Sequence, residues 1–156
     1  MDSINPNVAD PYRDQLIALG VNLRPTHWVT LNLHRDATLE YAGRALKRWR
    51  VEILRRLLGR RFFELPTTAL IEFMGCPEHS LAGHPHFHLV CRVPEQITPD
   101  FDRLAISRWK DIVPSGTCHI ELIDHQPDSV QRIMSYATKR LDKNSPLPFV
   151  HSRLLH

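Results

Sequence analysis

The chain has 156 residues, 42% hydrophobic and 24% charged, which is enough for one buried core and too apolar for a disordered protein. No apolar run reaches the length of a membrane span, and the N-terminal MDSINPNVADPYRD has no apolar signal core, so a soluble, cytoplasmic protein with no membrane partner is expected. Net charge is only +3, yet residues 38–61 hold eight Arg or Lys against Glu40 and Glu52, a local +6 that leaves about −3 elsewhere. Such a block suits a polyanion, most often nucleic acid, and equally suits a solvated helix face. Cys76, Cys91 and Cys118 are scattered and odd in number. They match no zinc spacing and no disulfide framework, and read as small buried hydrophobes.

The sequence predicts one domain over 1–156, with 1–26 peripheral and 27–143 as the core. A short helix is expected around Pro11–Leu19, ended by Gly20. HWVTLNL, His27–Leu33, alternates and is β-rich, so it reads as a strand. Leu39, Ala42, Leu46, Trp49, Ile53 and Leu57 recur at steps of three and four, which marks an amphipathic helix stopped by Gly59. Thr67–Met74 reads as a second strand and GCPEHSLAG as a turn-rich connection. A third strand covers Pro85–Val93. Pro99–Ile112 reads as a helix, Thr117–Asp124 as a fourth strand, and Asp128 to about Lys143 as a last helix stopped by Asn144-Ser-Pro. The order β-α-β-β-α-β plus a helix is the α+β, ferredoxin-like split β-α-β arrangement: a small antiparallel sheet, both crossover helices on one face, and an added C-terminal helix.

Residues two apart on a strand share a face. His86 and His88 therefore point together, while Phe87, Leu89 and Cys91 point to the helices. On the preceding strand, Ile71 and Phe73 should face the helices, which leaves Glu72 on the histidine side. Two imidazoles and a carboxylate suit Mg²⁺ or Mn²⁺ with positions open for water and a phosphate oxygen. The plain alternative is a set of polar residues on a wet sheet face. His84 reads as structural or DNA-contacting, and His119 with Glu121 as an exposed face within reach of the site.

On the last helix, Val130, Ile133, Met134, Ala137 and Leu141 form the apolar stripe. Tyr136 falls outside it, with Lys139 and Lys143 on its side. A phenol is a poor nucleophile unaided, and neighbouring ammonium groups stabilise negative charge on it or on a phosphodiester. An ordinary surface tyrosine beside lysines has the same pattern.

WVTLNL on the first strand, HFH on the third and YATK on the last helix resemble, in that order, the three motifs of the HUH endonucleases. Within them the chain looks most like the single-tyrosine nickase domain of rolling-circle replication initiators, the Rep proteins. The resemblance covers about His27 to Lys143. It implies that His86 and His88 hold Mg²⁺ or Mn²⁺ with Glu72 as third ligand. It implies that Tyr136 attacks a phosphodiester in single-stranded DNA or an origin hairpin and becomes joined to the 5′-phosphate. Lys139 would contact the scissile phosphate, and Thr30, Asn32, Arg140 and Lys143 are DNA-contacting positions. A separate helicase and a host polymerase are the further partners implied. Two departures stand out: no second catalytic tyrosine accompanies Tyr136, and the sequence stops soon after the motif, where many initiators continue into a helicase domain. The alternatives are a single-strand DNA transposase of the same superfamily, disfavoured by Lys139 where those enzymes carry glutamine, and a non-catalytic nucleic-acid-binding module on the same fold.

Overall fold

A computed structural model describes residues 11–126, 128–139 and 149–155. Its elements are α1 (Pro11–Asn22), β1 (His27–Asn32), α2 (Leu39–Leu58), β2 (Glu72–His79), β3 (Pro85–Arg92), α3 (Thr98–Ile112), β4 (Thr117–Leu122), α4 (Ser129–Ala137) and β5 (Val150–His151). The sheet is antiparallel in the order β4-β1-β3-β2-β5. This is the expected α+β, ferredoxin-like split fold with an added helix, extended by the short edge strand β5, which the sequence does not announce.

One face of the sheet is covered by α2 and α3. Val29, Leu31, Phe73, Phe87, Leu89 and Cys91 project there and are buried against Leu46, Trp49, Ile53, Phe101 and Trp109. The α2 stripe forms because Thr38 caps the helix, its Oγ1 accepting from the Tyr41 N–H at 3.1 Å, and Gly59 ends it at φ +87°. Two indoles lock this layer to backbone: Trp49 Nε1 donates to the Ala105 carbonyl and Trp109 Nε1 to that of Asn32, each at 2.9 Å.

The other face carries α4 and α1 around a smaller core of Met74, Val90, Ile123 and Met134. The chain reaches α4 because α1 does not stop at Gly20. The helix continues to Asn22, and the missing side chain of Gly20 makes room for Met134. Arg13 ties the two helices together, donating to the Ser135 carbonyl at 2.7 Å and to Thr138 Oγ1 at 3.2 Å.

The second strand departs most from expectation. It begins at Glu72, after a 3₁₀ turn over Thr67–Ala69, and runs through Pro77 to His79. Pro77 lacks an N–H, but β5 pairs only with Met74 and Gly75 and leaves that stretch of β2 at the edge, where proline is tolerated. The turn is confined to Ser80–His84, closed by Gly83 N–H to the Ser80 carbonyl at 2.8 Å and by Gly83 at φ +80°. The end of the last predicted helix, including Arg140 and Lys143, lies outside the described residues.

Candidate active site

The β2–β3 register puts Glu78 directly opposite His86, and Cys76 opposite His88. On the other side, β1 places Asn32 opposite His86 and Thr30 opposite His88. Glu78, His86 and His88 each bring one ligand atom within 4.8 Å of the others, in a pattern able to hold a metal ion. The Glu78 Oε2 lies 3.3 Å from His86 Nε2 and 3.7 Å from His88 Nε2. Glu78 Oε1 and His86 Nδ1 are buried without a hydrogen-bond partner. Unpartnered buried polar atoms are uncommon because each carries a desolvation cost. Two of them in a carboxylate–imidazole cluster fit a cation-binding group.

The acid of this cluster is Glu78, which corrects the expectation for Glu72. Both residues lie on the histidine face, so the alternation itself holds. They are six positions apart, which is about 20 Å along a strand. Glu72 faces Arg92 instead, paired to its Nη2 at 2.5 Å and to Arg153 Nε at 2.6 Å.

His88 is held on two sides. Its Nδ1 is 3.3 Å from Thr30 Oγ1, and its ring lies parallel to the Trp28 indole at 5.4 Å between centroids. Burial, reinforced by the neighbouring His86, pushes the His88 imidazole below its ordinary value despite the pull of Glu78. The neutral form is therefore favoured, and that is the form that ligates. Cys76 shares this face, but burial with help from Glu78 raises its thiol to about 12, which keeps it protonated.

From α4, Tyr136 leans over the cluster. It is half exposed, at 51%, and its ring meets His88 edge-on at 5.7 Å and Trp28 at 6.4 Å. Lys139 sets its ammonium 3.7 Å above the centre of the Tyr136 ring. A groove of about 420 Å³ runs between sheet and helix, lined by Trp28, His88, Glu121, Arg132, Ile133 and Tyr136. A wider depression of about 670 Å³ lies at the His27 end of β1 and includes none of these groups.

Among the predicted positions, His86, His88, Tyr136, Lys139 and Thr30 come together, and Asn32 borders them. Thr30 is engaged with His88. His84 sits outside the cluster, 3.6 Å from Asp36, and His119 pairs with Glu121 at 2.8 Å. Sequence reasoning missed Glu78 and Trp28. The signal for Glu78 was the turn: counting outward from a tight turn at Ser80–His84 pairs His86 with Glu78.

The family of replication-associated proteins typified by ORF2 matches residues 26–145, a span that includes every one of these side chains. The chain belongs to this family. It is therefore a replication-associated protein, in keeping with the initiator resemblance of its motifs. Among solved structures, the crystal structure of the hypothetical protein ORF119 from Sulfolobus islandicus rod-shaped virus 1 is similar, with a TM-score of 0.52 at 13% identity over 85% of this chain and 96% of that one. At that identity the likeness supports the fold alone. A comparison with curated proteins gives no match. Among the described residues, no helix is long and apolar enough to cross a membrane.

Proposed function

We propose that this replication-associated protein is a metal-dependent single-strand DNA nickase and ligase of the HUH type, which initiates rolling-circle replication through a 5′-phosphotyrosine. The observation that carries the reading is the Tyr136 ring edge-on to His88, 5.7 Å between centroids, beside the Glu78–His86–His88 group. A helix-borne phenol and a cation-binding triad from two different strands have no packing reason to meet in a solvated groove. Their meeting suits phosphodiester chemistry, in a family whose role is replication.

His86, His88 and Glu78 would hold Mg²⁺ or Mn²⁺, which when bound supplies charge to polarise a phosphodiester oxygen. The mixed nitrogen and oxygen donors suit Mn²⁺ at least as well as Mg²⁺. Thr30 fixes the ring of His88, and Trp28 supports it from the flat side. Tyr136 provides the nucleophile. Its Oη–P bond forms as the P–O3′ bond breaks. The phenol gives up its proton, and the departing 3′ oxygen takes one to leave as a hydroxyl. The Lys139 ammonium stabilises negative charge on the phenol and on the phosphate. The reverse sequence joins a 3′-hydroxyl to the held 5′-phosphate and frees Tyr136.

The test is a covalent-adduct assay: the protein with a pool of short single-stranded DNAs, with Mn²⁺ or EDTA, on denaturing gels. The expected result is a metal-dependent band shift, absent in Tyr136→Phe and in His88→Ala. An adduct that persists in Tyr136→Phe overturns the assignment of the nucleophile. Tight DNA binding to the cognate strand with no adduct under any metal overturns the nickase in favour of a binding module.

A further inference from the structure

We infer that the C-terminal end of α2 and the segment after it form a second single-stranded nucleic-acid surface, separate from the tyrosine groove. The basic block of residues 38–61 is not uniform once folded. Arg44 pairs with Glu40 at 2.5 Å, Arg48 with Glu52 at 2.6 Å and Arg61 with Glu64 at 2.7 Å, while Arg50 donates to the Ile71 carbonyl at 2.9 Å. Arg55, Arg56 and Arg60 remain exposed, with no acidic partner among the described residues. Uncompensated charge is thus concentrated at one end of the helix.

An independent feature lies beside them. Phe63 is 69% exposed, with its ring edge-on to the buried Phe62 at 6.1 Å. The packing of Phe62 anchors the turn, and the anchored turn leaves the Phe63 ring in solvent. Guanidinium groups beside an exposed aromatic ring are the pairing that binds unpaired nucleotides: charge for the phosphates, a flat face for a base. A duplex keeps its bases stacked internally and has no use for Phe63, so the partner is single-stranded.

The position makes this a distinct surface. α2 starts beyond the Asn32 end of β1, next to His86, and runs about 30 Å back across the sheet. Its last turn lies at the opposite end from the histidines and in the opposite layer from α4. DNA held there is a different stretch from the one at Tyr136.

The experiment is fluorescence anisotropy of the full chain carrying Tyr136→Phe, in EDTA, with a labelled long oligothymidylate over a range of salt. Neither metal nor nucleophile is needed, so its outcome is separable from the nicking proposal. R55Q/R56Q/R60Q is expected to weaken binding at least about tenfold at low salt and to flatten the log–log salt slope by about 2, since each lost phosphate contact removes about 0.7. Phe63→Ala is expected to weaken binding about tenfold with the slope unchanged. All four side chains are exposed, so the fold is retained, which a matching thermal melt verifies. An unchanged slope in the triple variant overturns the proposal. So does a duplex of the same length binding more tightly than the single strand through these arginines.

Discussion

Two buried glutamates on one strand separate structure from site. Glu72 and Glu78 both lie on β2, both face away from α2 and α3, and are 2% and 6% exposed. Glu72 meets the guanidinium groups of Arg92 and Arg153, so each of its oxygens is satisfied. Those contacts join the start of β2 to β3 and to the C-terminal segment. Glu78 meets two imidazoles, and one of its oxygens has no partner. A buried carboxylate needs compensating positive charge. At Glu72 the chain supplies that charge itself. At Glu78 it does not, which leaves the charge to a cation.

The contrast can be broken or sharpened by substitution. Glu72→Gln removes one partner from a buried ion cluster and should cost about 3 kcal/mol of stability. Urea unfolding should show this loss while Mn²⁺ affinity stays within about twofold; a marked loss of metal binding would make Glu72 part of the site after all. Glu78→Gln should do the reverse. Titration calorimetry should find Mn²⁺ affinity lower by about 100-fold, or about 2.7 kcal/mol, with the metal-free melting temperature unchanged or raised. A strongly destabilised metal-free protein would give Glu78 a structural role instead. Thr30→Val keeps the shape but loses the contact to His88, and should lower Mn²⁺ affinity about tenfold, with adduct formation reduced in parallel. If DNA affinity falls and metal affinity holds, Thr30 touches DNA rather than positioning the ring.

The smallest effect belongs to His27, at the far end of β1. It is buried edge-on against Phe101, its Nδ1 is 2.7 Å from Thr26 Oγ1, and Asp102 lies 3.7 Å from its Nε2. Burial lowers its pKa, with Asp102 pulling the other way. The unfolded chain then takes up the proton first as pH falls below about 6.5, so stability is full above that pH and declines as pH drops toward the folded value. Unfolding curves of His27→Leu should show a weaker decline over this window than the parent. Parallel curves would remove His27 from the account.

Periodicity makes much of the protein legible in one dimension. The 3.6-residue stripe of α2, the alternation of β1 and β3, and the glycine at position 59 mark elements whose ends agree with the structure to within a residue or so, because each reflects local preference and a burial face working together. The same alternation places His86 and His88 on one face, and the helical wheel puts Tyr136 and Lys139 off the core stripe. The second strand misleads because Thr67–Met74 is apolar and β-rich, whereas Pro77 and Gly75 look like punctuation. Gly75 is there for packing. A Cβ at that position would collide with the His88 carbonyl, so the strands approach closely beside the site only with glycine.

Composition and period thus determined which residue types lie on which face, since a side chain's direction follows from its own backbone. Which acid meets the histidines, which indole supports His88 and which arginines remain unpaired were decided only by tertiary structure. Each depends on strand register or on contacts between residues distant in sequence, and alternation repeats every two residues without recording the offset between neighbouring strands.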